Sequence, residues 1–390
     1  MGADGQQAAV DSDAGRYLAL KDLGRLVPGN RVALLRDGLN AFPEMLAAIR
    51  SARERVRLET YIFSDDAVGR AFAQALGDAA ARGVRVTVLY DAVGSLWTPR
   101  AFFRRLRASG VDVHAFRPIG RHTSLRRLIR RDHRKLLVVD SRVAFVGGIN
   151  IAVQWAPRGV PRGGGWRDDA LRIEGPAAAA LERRFFASWR VAVRERLRAW
   201  RSKPPLPDGP PAGSLGLAIL SSRRAIHRAY LHALEAAERS VLVAAGYFVP
   251  DVRVLHALEQ AAARGVEVKL LLAGRSDHAF MTWAARGFYR RLLRAGVRVF
   301  EWSEGVLHAK TAVVDGRWAT VGSFNLESFS LLYNHEVNVA LVEPAFASQV
   351  EASLRRDLSV CREVTLESLS RRPRWRRALE AATWMLRKIL

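Results

Sequence analysis

The chain has 390 residues, 49% of them apolar, enough for a sizeable core and for two domains of similar size. A formal net charge of +24 points to a polyanionic partner, nucleic acid or an anionic membrane face, against the plainer reading of an arginine-rich composition without functional meaning. The single cysteine, Cys361, excludes an intrachain disulfide framework and cysteine-cluster metal sites. Met1 to Gly15 is too polar for a signal peptide, and no run of 18 apolar residues reads as a membrane span.

Residues 1–35 read as an N-terminal extension. VRLETYIF (Val56 to Phe63) then has a buried-strand pattern, and a helix follows through Ala71 to Ala81. ARGVRVTVLYD turns at Gly83 into a second strand ending at Asp91, and helix FFRRLRASG leads to the short strand VDVHAF. The second half repeats this order as SVLVAAGYFVP, a helix through Leu255 to Ala263, ARGVEVKLLLAG, FYRRLLRAG and VRVFEW. Apolar runs alternating with amphipathic helices and punctuated by Gly predict an α/β fold. Two similar lobes are expected, 36–201 and 215–365, each a mostly parallel mixed sheet flanked by helices. Five prolines mark 202–214 as a linker, and 366–390 reads as a basic amphipathic tail.

The repeat carries chemistry. HRKLLVVD (His133 to Asp140) returns as HAKTAVVD (His308 to Asp315), and each copy runs into a small-residue turn and an Asn, FVGGIN ending at Asn150 and TVGSFN at Asn325. Alternation along a strand sends His133 and Lys135 to one face. Gly147-Gly148 and Gly322-Ser323 admit close backbone approach. Two imidazoles over one phosphate, one attacking and one protonating, exchange esters at phosphorus with no metal or other cofactor called for. Lys135 and Lys310 would hold the non-bridging oxygens, with Asn150 and Asn325 adding donors. Asp140 and Asp315 are the candidates to orient an imidazole, in their own lobe or the opposite one. Both half-sites lie in one chain, so no dimer is required. The structural alternative is two related domains without a joint site.

Both copies match HxK(x)4D(x)6G(G/S)xN, and over roughly 36–345 the chain resembles the phospholipase D superfamily. The resemblance implies an active site between the lobes, with His133 as nucleophile forming a phosphohistidine and His308 as acid and then base. Within the superfamily the chain looks most like bacterial cardiolipin synthases, of the type without an amino-terminal membrane anchor. The blocks that carry this are LETYIFSDDAVG, YDAVGS, WRDDALRIEGPAAAAL from Trp166, FFASW, and NLESFSLLYNHEVN with Ser330, Asn334, Glu336 and Asn338. Glu327 stands where Asp is usual and Phe329 where Leu or Arg is common, which weakens the subfamily likeness more than the catalytic one. Glu59, Ser95, Gly148, Ser323 and Glu336 are further candidates for contacts to substrate, against ordinary turn, capping and salt-bridge roles.

The resemblance implies phosphatidyl transfer: two phosphatidylglycerols give cardiolipin and glycerol at the cytoplasmic face of the cell membrane. A hydrolytic phospholipase D, a phosphodiesterase or nuclease acting on nucleic acid, and a non-catalytic anionic-surface scaffold are the competing readings. Residues 117–135 hold eight Arg or Lys against one Asp, an insertion (117–132) that the second lobe lacks. Leu125, Leu128 and Ile129 give it an apolar side suited to an anionic lipid surface, or it is a solvated basic loop. RRPRWRRALEAATWMLRKIL from Arg371 repeats that design, or docks on the second lobe. These interleaved apolar residues favour a peripheral membrane surface over nucleic acid, whose binding would be largely ionic.

Overall fold

The computed structural model describes residues 15–18, 26–120, 124, 128–193, 212–327 and 333–373. Residues 1–14 and 19–25 of the extension, 202–211 of the linker, 374–390 of the tail, 121–123 and 125–127 of the basic insertion, and Phe329 and Ser330 lie outside the described residues.

The first half runs β1 (Leu26–Arg36), α1 (Asp37–Ser51), β2 (Arg55–Thr60), α2 (Ala67–Ala81), β3 (Arg85–Asp91), α3 (Arg100–Ala108), β4 (Asp112–Phe116), β5 (Leu136–Val139), β6 (Val143–Gly147), β7 (Asp169–Glu174) and α4 (Pro176–Ala192). The second runs β8 (Leu215–Leu220), α5 (Arg223–Ala236), β9 (Ser240–Ala245), β10 (Phe248–Val249), α6 (Val252–Ala263), β11 (Glu267–Ala273), α7 (Ala279–Arg294), β12 (Arg298–Trp302), β13 (Lys310–Val314), β14 (Trp318–Gly322), β15 (Leu326–Glu327), β16 (Asn338–Val342), α8 (Pro344–Ser359), β17 (Cys361–Val364) and α9 (Leu366–Ser370). Among the described residues a 15-stranded sheet has the order β17-β12-β11-β9-β13-β14-β16-β8-β1-β7-β6-β5-β2-β3-β4, its two halves repeating one topology.

Strand β1 is the seam. It pairs antiparallel with β7 (Arg31 opposite Glu174) and with β8 (Leu26 opposite Ala218), so the lobes share a continuous sheet. This corrects the assignment of residues 1–35 to an extension. Val27-Pro28-Gly29-Asn30 reads as a turn, but it is a bulge inside the strand, with Gly29 at φ 82°. The buried Asn30 amide supplies what the ladder loses there: Nδ2 donates to Val27 O at 2.6 Å and Leu215 O at 3.2 Å, and Oδ1 accepts from Ala177 N at 2.8 Å.

The expectation of mostly parallel lobes is also corrected. Among the strands of the 15-stranded sheet, parallel pairing is confined to β2-β3-β4 and β9-β11-β12, while β10 and β15 pair in parallel as a separate two-stranded ladder. The strands between are antiparallel, because each HxK strand is joined to its successor by a tight turn with no room for a crossover helix. Helices α4 and α8 cover the face where the halves meet; Leu181, Phe185, Phe346 and Val350 lie in one apolar cluster with Leu171 and Leu341. Each lobe has a second core of its own, around Phe72 and Phe102 in the first and around Phe288 and Trp318 in the second. No helix among the described residues is long and apolar enough to cross a membrane.

Candidate active site

Each histidine sits just before its strand, on a short stretch that bridges to the opposite lobe. Asp132 pairs in parallel with His335, and Leu307 with Arg167. His133 N donates to His335 O at 3.0 Å, and His308 N donates to Arg167 O at 2.7 Å. The chain therefore places an acidic residue next after each acceptor, Glu336 and Asp168, against the imidazole of the other half.

His133 Nδ1 lies 3.1 Å from Glu336 Oε1 and 3.1 Å from Ser323 O. His308 Nδ1 lies 2.6 Å from Asp168 Oδ2. Donation from Nδ1 to a carboxylate fixes the tautomer and leaves Nε2 with a lone pair for the cavity. Burial lowers the pKa of His133, with Glu336 opposing, and lowers that of His308 much further, helped by Lys310 and Lys135. Both shifts favour the neutral imidazole. Tyr61 packs edge-on against His133 with centroids 5.1 Å apart, and Tyr247 does the same to His308 at 5.9 Å.

His133 and His308 line one cavity of about 490 Å³, with Arg131, Asn150, Asn325 and Glu327 as polar neighbours. Tyr61, Trp155, Trp166, Tyr247, Phe280 and Met281 supply an aromatic and apolar wall. Asn150 Oδ1 accepts from Ile62 N at 3.0 Å, while Asn325 Nδ2 donates to Glu327 Oε1 at 3.3 Å. The lysines stand behind the rings and are not among the lining residues. Lys135 Nζ donates to His133 O at 2.6 Å, and Lys310 Nζ donates to His308 O and lies 2.9 Å from its Nδ1. Burial pulls Lys135 down to about 7, against the pull of Glu336.

Asp140 and Asp315 do not touch an imidazole, which corrects the orienting role expected of them. Each lies at the far end of its strand, seven residues past its histidine and about 23 Å along an extended chain at ~3.3 Å per residue. Both adopt positive φ, 52° and 56°, in the turn that reverses the hairpin. Asp140 accepts from the backbone N–H of Arg53, Glu54 and Arg55 at 2.8–3.0 Å. Asp315 accepts from Glu238, Arg239 and Ser240 at 2.7–2.9 Å and from Tyr17 Oη at 2.8 Å. Burial tends to raise the pKa of Asp315, but these donors outweigh it and the net shift is downward. A depressed folded value means stability that is present above the ordinary Asp range and lost as pH falls through the folded value. Asp315→Ala should therefore lower unfolding stability by about 2–4 kcal/mol near neutrality. Urea titrations should show the deficit shrinking at acid pH, while the residual folded protein keeps its turnover.

The five candidate substrate contacts are corrected as well, since none lines the cavity. Ser95 Oγ donates to Tyr61 O at 3.1 Å and accepts from Phe63 N at 3.0 Å, so it pins a turn. Gly148 makes room for a carboxylate: a Cβ there would lie 2.1 Å from Asp168 Oδ1. Ser323, its counterpart, donates from Oγ to Glu336 Oε2 at 2.5 Å. Glu336 orients His133, and Glu59 is buried behind the site. Asp168 was missed, although both copies carry an acid shortly before the strand that pairs with the second strand of the hairpin, Asp168 before β7 and Glu336 before β16. Trp155 Nε1 donates to Asp168 Oδ2 at 2.9 Å and was missed with it.

The family described as cardiolipin synthase, phospholipase D-like domain, matches residues 45–158 and 230–358, one stretch in each lobe. The chain belongs to this family. It is 34% identical over 366 residues to the major cardiolipin synthase of Bacillus subtilis (strain 168), covering 93% of this chain and 76% of that protein. It is 36% identical over 374 residues to cardiolipin synthase A of Pseudomonas putida, with the same coverage of each. In fold it is similar to the crystal structure of phosphatidylserine synthase from Haemophilus influenzae Rd KW20, with a TM-score of 0.72, 14% identity, and 95% and 98% of the two chains covered. The two matched stretches contain the two histidine segments, His133 to Asn150 and His308 to Asn325.

Proposed function

We propose that this family member is a phospholipase D-type phosphatidyltransferase that converts two phosphatidylglycerols into cardiolipin and glycerol through a phosphohistidine. The observation that carries this reading is that both imidazoles line one cavity, each held by a carboxylate of the opposite lobe. His308 takes up a proton at Nε2 as the anionic phosphate binds beside it; His133 Nε2 then attacks phosphorus as the bond to the departing glycerol oxygen breaks, and His308 gives that oxygen its proton. The terminal hydroxyl of a second phosphatidylglycerol then returns a proton to His308. Its oxygen forms the new bond to phosphorus as the N–P bond breaks. The bonds exchanged are alike, so no nucleotide is consumed. The division of labour between the histidines rests on family resemblance, because the two half-sites are close to equivalent.

A phosphate anion in the cavity, with Lys135 and Lys310 behind the rings, favours their charged forms and offsets the burial that depresses them. Asn150 and Asn325 line the cavity from opposite lobes and are the neutral donors for the phosphate oxygens. The aromatic wall supports transfer over hydrolysis, since it disfavours bulk water while accepting glyceride and acyl carbons.

The substrate also says how the protein meets its lipid, on the surface of an anionic bilayer. Trp97 is 93% exposed and Leu96 56% exposed, in the loop whose Gly94 packs on Tyr61. Phe280, 41% exposed, lines the cavity from the first turn of α7 in the second lobe. Apolar tips beside a cavity mouth, on a chain of charge +24, suit an anionic headgroup layer. Leu96→Ser with Trp97→Ser should weaken sedimentation with phosphatidylglycerol vesicles by about tenfold or more, while turnover of a soluble short-chain substrate is kept.

Incubation with phosphatidylglycerol vesicles, in the presence of EDTA, should yield cardiolipin and glycerol in equal amounts. Phosphatidic acid alone would move the assignment to hydrolysis. DNA cleavage without lipid turnover would overturn the lipid reading, and turnover restored only by a divalent ion would contradict direct attack by an imidazole.

A further inference from the structure

Directly behind His133 lie two carboxyl groups that the mechanism does not use. Glu59, on β2, is 1% exposed, and Asp132, next to His133, is 2% exposed. None of their four oxygens accepts a well-aligned hydrogen bond among the described residues, although the Ser188 hydroxyl lies close enough to Glu59 to favour its charged form. The two groups are within hydrogen-bonding reach of each other. Two facing acceptors with nothing between them, in a site closed to water, are not a stable arrangement of two anions.

The surroundings do not neutralise them. Arg134 is the nearest cation, with Nη1 3.9 Å from Glu59 Oε1, and it is held elsewhere. Its guanidinium donates to Glu336 O at 3.1 Å, Arg184 O at 3.1 Å, Ser221 O at 3.2 Å and Ser188 Oγ at 2.9 Å. From α4, Ser188 Oγ accepts that bond and lies 3.5 Å from His335 Nδ1. From the second lobe, burial lowers the pKa of His335 despite Asp132, so this ring adds no full charge. Lys135 is the remaining basic group facing Asp132 and is itself depressed by burial. On the other side, Arg131 is spent on Asp91, which it meets at 2.9 and 3.0 Å.

We propose that Glu59 and Asp132 share one proton, and that this carboxyl–carboxylate pair is the positioning element that holds the His133 segment against the second lobe. The segment concerned is short. Asp132 N donates to Asp91 Oδ2 at 2.9 Å, His133 N to His335 O at 3.0 Å, and His335 N to Arg131 O at 2.8 Å. A hydrogen bond from Glu59 to the Asp132 side chain ties this interlobe bridge to β2. Loss of the proton leaves two buried anions side by side, and the strain is relieved by moving Asp132, with His133, away from Glu336. The pair touches neither substrate nor the reacting atoms; it acts through His133.

Burial, then the neighbouring Asp132, pushes the Glu59 carboxyl well above the ordinary glutamate range, with Arg134 opposing. A raised folded value stabilises the folded protein below the ordinary Glu range, and that contribution is lost as pH rises through the folded value. The site should therefore fail on the alkaline side. An amide in place of either carboxyl donates a hydrogen bond that needs no titrating proton.

The inference rests on the paired-histidine reading for its consequence, so its test includes a readout independent of turnover. Infrared spectra of the full chain in heavy water near pH 7 should show the carbonyl stretch of a protonated carboxyl group, absent from both Glu59→Gln and Asp132→Asn. The alkaline limb of kcat should move up by about one pH unit or more in each variant. The parameter read is kcat because bound phosphate keeps Lys135 charged in the loaded enzyme. The fall of the thermal midpoint with rising pH should also flatten in each variant. If neither variant removes a protonated-carboxyl band, the shared proton is overturned. If the band goes but the alkaline limb of kcat stays in place in both, the positioning role is overturned. Absence of lipid turnover by the unaltered protein would instead strike the functional reading and leave the infrared result to stand alone.

Discussion

Replacing either active-site imidazole, as His133→Asn or His308→Asn, should lower cardiolipin formation by at least about 10³–10⁴-fold. The two variants should differ little in that assay, because attack and leaving-group protonation belong to one transition state. The double variant should be hardly slower than either single one, since groups that act as a unit are not additive. A substrate whose leaving group needs no proton, such as a phosphatidyl p-nitrophenyl ester, separates them. His308→Asn should release about one equivalent of nitrophenolate and then stall, because His133 still attacks but no base activates the second alcohol. His133→Asn should release none. Full cardiolipin synthesis by either variant would refute the joint site.

The second large effect is expected at the carboxylates that cross between lobes. Asp168→Asn and Glu336→Gln should each cost about 10²–10⁴-fold, by analogy with loss of the orienting acid in a serine-protease triad. An amide at either place no longer fixes the Nδ1–H tautomer or stabilises the charged ring. The partners are crossed, Asp168 on His308 and Glu336 on His133, so the activated ester should again divide them. Asp168→Asn should recover a nitrophenolate burst, whereas Glu336→Gln should stay slow in the first step. Asp140→Asn, at the far end of the strand, should affect stability and leave the rate per folded molecule nearly intact. A rate loss at Asp140 as large as that at Asp168 would contradict the arrangement seen here.

What the chain discloses about itself differs by kind of feature. The doubled H-x-K with its trailing turn and Asn is a short, local, period-2 pattern, so both half-sites and the α/β lobes were legible. The orienting acids were not, because each belongs to one lobe and serves the other. Nothing in the spacing between His308 and Asp168 records that Arg167 O accepts the His308 N–H. The acids inside the motif were the natural candidates. Yet a hairpin turn needs an acceptor for the backbone N–H groups before the neighbouring strand, and Asp140 and Asp315 meet that need. Strand β1 was hidden by Pro28-Gly29-Asn30, whose local turn propensity is overridden by a buried Asn that completes the ladder from its side chain. The parallel expectation failed inside each lobe for a related reason: helix-linked strands advertise themselves, whereas hairpin strands of four or five residues do not.

The most direct test of two imidazoles acting on one phosphorus is to stop the activated-ester reaction during the burst and locate the phosphatidyl group by peptide mapping under alkaline conditions. One acid-labile adduct per chain is expected, on His133, accumulating in His308→Asn and absent from His133→Asn. An adduct on His308 would reverse the assigned roles, and a burst with no adduct on either ring would contradict the phosphohistidine route altogether.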